Sequence, residues 1–72
     1  MSVAEYVLSI PEYQGWMGKA VKEPMWEGTV KVHDWRNYIP YSIRQIWNEL
    51  TIEARIVAIV MAHTQATNEE WD

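Results

Sequence analysis

Apolar side chains recur along this chain mostly with the period of a helix. Val3, Tyr6, Val7 and Ile10 stand at i, i+3, i+4 and i+7, on one face of a short helix. Ser2-x-x-Glu5 ahead of them has the form of a capping box, in which a hydroxyl accepts from an N–H that the first helical turn leaves unpartnered. Pro11 interrupts the run. Ser9-x-x-Glu12 repeats the capping pattern, and proline is tolerated in a first helical turn. The spacing therefore predicts a second helix from Pro11 to about Val21, with Tyr13, Trp16, Met17 and Ala20 inward. Gly15 and Gly18 each weaken that helix by about 1 kcal/mol relative to alanine. Their missing side chains would also let another backbone come close.

Glu23 to Pro40 shows no helical period, and Pro24 and Gly28 punctuate it. Thr29 to His33 alternates briefly like a strand. A lone strand has nothing to pair with, so the stretch reads as an extended connector. The other readings are one arm of a hairpin with Met25–Glu27 and an edge open to another chain. Asp34 is placed to cap a turn through Trp35, Arg36 and Asn37. Beyond Pro40, the residues Ile43, Ile46, Trp47 and Leu50 resume the helical spacing from Tyr41 onward. Thr51 has the character of an N-cap, with Glu53 in the first turn of a long helix from Ile52 to about Trp71. Ile56, Val57, Ile59, Val60 and Met61 wrap most of its circumference, which predicts a buried middle.

A rival register exists. Ile43, Trp47, Leu50, Ala54, Val57 and Met61 form a heptad seam, which would make one helix from Tyr41 to Asn68 and would want a second chain beside it. The broken version is preferred. The expected fold is a single, mostly α domain over residues 1–72. It has two short N-terminal helices, an irregular or short-strand aromatic connector, and a C-terminal helical hairpin or long helix.

Composition narrows the function. With no cysteine, disulfides and thiolate zinc sites are excluded. Six Lys and Arg against ten Asp and Glu give a net charge of -4, and the cations are dispersed. Duplex DNA and anionic membranes both require clustered cations, so neither is an expected partner. The longest apolar run, Ile56 to Ala62, falls far short of the about 20 residues of a spanning helix. The N-terminus lacks a signal-peptide pattern, so a cytoplasmic location is the expectation. One core of this size supplies roughly 3–5 kcal/mol, which favours dense aromatic packing, self-association or a bound partner.

Candidate chemistry is sparse. His33 is followed by Asp34, but adjacent residues rarely orient each other, and His33 reads as a loop residue. His63 continues the face of Ile59 and reads as a buried histidine held by one hydrogen bond. No histidine pair has metal-ligand spacing, so neither a metal nor a cofactor is expected. Glu49 and Glu53 are explained as a surface residue and a helix N-terminal charge. Gly15-x-x-Gly18 lacks the rest of a phosphate loop. So short a chain leaves little room for an internal cavity of about 300 Å³. No catalytic residue is assigned.

Five Trp and four Tyr with no Phe are the unusual feature. Trp16 and Trp47 fit helical apolar faces. Trp26 and Trp35 bracket the connector, and Trp71 is penultimate. Either these three turn inward in place of Phe, or they anchor a partner, since Trp, Tyr and Arg dominate interface energetics. On the anchor reading, the contact residues are Trp26, Trp35, Arg36, Tyr38, Tyr41 and Trp71, with Glu69, Glu70 and Asp72 steering a basic surface. The function expected is that of a non-catalytic protein-interaction module, an inhibitor or adaptor of a larger protein. One alternative is a nucleotide or single-stranded nucleic acid stacking on the aromatics beside Lys31, Arg36 and Arg44. Another is a homodimeric or larger structural assembly. In size and composition the chain resembles the small host-directed inhibitors that phages encode, anti-defence proteins among them. That resemblance implies inhibition of a host protein.

Overall fold

The helical periods become four α-helices among the described residues, which in this computed structural model are 2–27 and 32–70. They are α1 (Val3–Ser9), α2 (Met17–Lys22), α3 (Tyr41–Gln45) and α4 (Ile52–Glu70). Three 3₁₀ turns join them, and the described residues contain no strand. The mostly α architecture with a long C-terminal helix is the expected one. Most of Thr29–His33, namely residues 29–31, lies outside the described residues.

Ser2 caps α1 as its position predicts, its hydroxyl accepting from the Glu5 N–H at 3.1 Å. The second capping pattern does not operate. The Ser9 hydroxyl instead donates back to the Tyr6 carbonyl at 2.6 Å, and Ile10 enters the next turn with no side-chain cap. The predicted helix from Pro11 to Val21 is accordingly split. Pro11–Tyr13 forms a 3₁₀ turn, Gln14 is extended, and Gly15 takes φ +89° before α2 begins at Met17. A β-carbon placed on either Gly15 or Gly18 would meet nothing within 4 Å, so no close backbone approach explains these glycines.

Asp34 behaves as predicted. Its carboxylate accepts from the Arg36 N–H at 2.9 Å and starts a 3₁₀ turn over Trp35–Tyr38. The helix predicted from Tyr41 to Leu50 stops after five residues, and a 3₁₀ turn over Trp47–Glu49 follows. Leu50 is extended, and Thr51 caps α4 by accepting from the Ala54 N–H at 3.1 Å. The chain thus takes the broken register, and the continuous heptad helix does not form.

One helix organises the interior. Ile56 and Ile59 of α4 are fully buried against Met17 of α2, with Tyr13, Val21, Trp35, Ile39 and Trp47 around them. The wrapped middle predicted for α4 is corrected to a single buried face, for Val57 is 47% and Met61 68% exposed. The indoles close the other side of the core. Trp26 stands edge-on to Trp47 and to Trp35, with ring centroids 5.1 and 5.7 Å apart. Trp35 lies 6.5 Å from Trp16 and 6.4 Å from Trp47. These rings do the packing that Phe would do elsewhere. Trp47 needs a partner for its buried N–H and finds it in the Val21 carbonyl at 2.9 Å. The protein is only 17 Å thick along its shortest axis, so it cannot enclose a helix on all sides. No helix among the described residues is long and apolar enough to cross a membrane.

Candidate functional site

That thinness leaves one side of α4 uncovered, and an apolar groove of about 420 Å³ runs along it. Tyr38, Ile39 and Pro40 form one wall, continued by Ile43 and Leu50. Ala54, Ala58 and Ala62, spaced four apart on α4, contribute only methyl groups and leave the floor low. Met61 and Gln65 stand at the outer edge. Among the described residues no charged side chain lines the groove. Val57 precedes Met61 by four residues and extends the exposed apolar stripe beside it. Its lining is predominantly apolar, and no side chain of the described residues fills it.

The predicted contact residues divide on this geometry. Tyr38 lines the groove, and Tyr41 is 72% exposed at the start of α3. Glu69 is exposed in the last turn of α4. Trp35 is a correction: at 4% exposure it is sealed in the core and offers no surface to a partner, because the Asp34-capped turn docks it beneath α4. Trp26 is half-buried against Trp35 and Trp47 and is covered by the Arg44 guanidinium 5.1 Å from its ring. For these two indoles the inward alternative holds. Arg36 is also engaged internally. It pairs with Asp34 at 3.0 Å, donates to the Pro24 carbonyl, and lies over Trp35 at 5.0 Å. Trp71, Asp72 and the side chain of Glu70 lie outside the described residues.

The groove's own residues were present in the sequence under another reading. Ile43, Leu50, Ala54 and Met61 belong to the heptad seam. These four line one groove although the backbone that carries the seam is broken. Pro40 and Ala58 gave no signal, since neither belongs to that repeat.

A second, polar cleft of about 510 Å³ opens between Trp16, residues 32–36 and His63. Both clefts lie open at the surface between elements, and neither is an internal cavity. His63 is half-buried and held by one hydrogen bond, from Nε2 to the Glu12 carboxylate at 2.9 Å. Tyr13 and Trp16 flank its ring with centroids 5.6 and 5.4 Å away. His33 is an exposed turn residue with Nδ1 3.5 Å from the Tyr38 hydroxyl. Among the described residues, those that line the cleft carry no hydroxyl, thiol or amine nucleophile. Among the described residues no three His, Asp or Glu side chains gather closely enough to hold a metal ion. Below the cleft, burial raises the Tyr13 phenol above its ordinary pKa of 10.0, the Glu12 charge adds to this, and a hydrogen bond with Thr64 opposes it. The sequence matches no protein-family model, no curated protein and no solved structure.

Proposed function

We propose that this protein is a non-catalytic interaction module that receives an amphipathic helix of a larger protein in the groove along α4, acting as an inhibitor or adaptor of that protein. The observation that carries the reading is the uncovered apolar groove itself, with Met61 68% exposed at its edge. Apolar concavities of this kind are how helical segments are recognised, through anchors one helical turn apart. The exposed Tyr41 is of the type that dominates interface energetics. A nucleotide or single-stranded nucleic acid draws less support. Arg36 and Arg44 would have to meet phosphate, yet both donate to main-chain carbonyls of the connector.

The test is site-specific photo-crosslinking from position 61, with position 19 on exposed Lys19 as the control. Adducts are sought in extracts of the source cells and sequenced at the attachment point. The expected result is a discrete adduct at 61 only, attached to an apolar helical segment and competed away by the unlabelled protein but not by its Met61→Glu variant. Equal labelling from both positions, or equal competition by Met61→Glu, would overturn the reading.

A further inference from the structure

Resting on that reading, we infer that Met61 is a site of reversible oxidation by peroxide, and that its sulfoxide denies the groove to an apolar helix. The chain has no cysteine, so thioethers are the softest nucleophiles it offers to an oxidant. Met17, Met25 and Met61 are among the described residues, and they differ in access. Met17 is fully buried in the core, whereas Met25 and Met61 are 61% and 68% exposed. The two exposed thioethers stand in unlike surroundings. Met25 shares a cleft with Lys22, Glu27 and Arg44, where ionic groups already line the surface. Met61 stands at the edge of the groove, one helical turn from exposed Val57 and beside Ala58 and Ala62. Oxygen added at Met25 joins a polar rim. Added at Met61, it puts a hydrogen-bond acceptor where a bound helix would bury it.

The step needs only hydrogen peroxide and a sulfur open to water. A sulfur lone pair attacks one peroxide oxygen, and the O–O bond breaks as the S–O bond forms. The departing hydroxide takes the proton from the transferred oxygen and leaves as water. The thioether gives up two electrons and the peroxide accepts them. A dithiol-dependent sulfoxide reductase reverses the change, the oxygen leaving as water while the dithiol becomes a disulfide. A helix seated over oxidised Met61 would strip water from the sulfoxide oxygen and so bind more weakly. The fold is spared, because Met61 is already mostly in water when the groove is empty. The switch therefore acts on binding and leaves stability alone.

The experiment uses the full chain, treated with dilute hydrogen peroxide. The probe is an uncharged amphipathic helical peptide of about 20 residues built from Leu, Ala and Gln. Species carrying one oxygen at Met61 or one at Met25 are separated by chromatography and assigned by tandem mass spectrometry. Binding is followed by amide chemical shifts along α4, and folding by circular dichroism. Met61 and Met25 should oxidise while Met17 stays reduced. The species oxidised at Met61 should keep its helicity and bind the peptide at least about tenfold more weakly than the untreated protein. Sulfoxide reductase with dithiothreitol should restore that binding. The species oxidised at Met25 should bind as the untreated protein does. Undiminished binding by the Met61 species would overturn the switch and leave the groove reading standing. Oxidation of Met17 as fast as Met61, loss of helicity in the Met61 species, or an equal loss of binding from oxidation at Met25 would each overturn the switch too. If the amides of Ala54, Ala58 and Ala62 in the untreated protein do not respond to the peptide, the groove reading falls and the switch falls with it.

Discussion

Arg55 sits where the end of α2 meets the 3₁₀ turn Trp47–Glu49, and its guanidinium serves both. It donates to the carbonyls of Leu50, Val21 and Asn48, each at 3.2 Å. Irregular segments leave carbonyls without a ladder partner, and this small protein meets the need with arginine in place of further secondary structure. Arg44 does the same for Ile39 and Arg36, and Arg36 for Pro24. Arg55→Met keeps the stem and removes the donors, so it should lower stability by about 1–3 kcal/mol. Urea unfolding checks this, and an unchanged midpoint would show the clasp to be idle. Tyr13 supplies a second residue-scale expectation. Its phenol proton is held more tightly in the folded protein than in the unfolded chain, since burial and Glu12 both raise its pKa above 10.0. Between the unfolded and folded pKa values the folded state binds more protons, so stability is intact below about pH 10 and declines as pH rises beyond it. In Tyr13→Phe the alkaline decline should be shallower when urea midpoints are compared across that range. An identical decline in both proteins would remove Tyr13 as its cause.

Two glycines three residues apart carry opposite expectations at the level of the element. Gly15 holds φ +89° between the 3₁₀ turn and α2, where an L side chain is strained by about 1–2 kcal/mol, so Gly15→Ala should destabilise by that amount. Gly18 is inside α2 with open space around it, so Gly18→Ala should stabilise by about 0.5–1 kcal/mol through helix propensity. Thermal midpoints of the two variants shifted in the same direction would contradict this reading of the break. The pair also shows what periodicity could and could not disclose. Caps were legible where a side chain of the right length stood at the right spacing, as at Ser2, Asp34 and Thr51. The α3 helix is shorter than its spacing predicts, because Ile43, Ile46, Trp47 and Leu50 keep helical spacing through a segment that changes from α to 3₁₀ geometry. Side-chain period survives such a change, whereas the hydrogen-bond register does not. The candidate site was legible in part for the same reason. The heptad seam located an uncovered face on α4, while the inward packing of Trp26 and Trp35 depended on contacts between distant segments that no local pattern encodes.

At the scale of the whole molecule, the arrangement separates what holds the fold from what the surface offers. Trp16, Trp26, Trp35 and Trp47 form one connected set that draws the N-terminal turn, the connector and the α3–α4 junction around Met17, Ile56 and Ile59. Loss of any of these segments exposes indole, so tryptophan fluorescence and far-ultraviolet circular dichroism should report one coincident transition. The groove stands outside that set. Met61 and Val57 keep most or about half of their surface in water in the free protein, so their apolar character contributes little to folding. Met61→Gln with Val57→Gln should therefore leave the urea midpoint within about 0.5 kcal/mol of the parent while removing helix binding. A chain of 72 residues that retains a large exposed methionine beside an apolar trough gives up solubility without gaining stability from it. If the double variant proves markedly less stable, these side chains belong to the core in solution and the groove is closed. If it is equally stable and still binds, the recognition surface lies elsewhere on the protein.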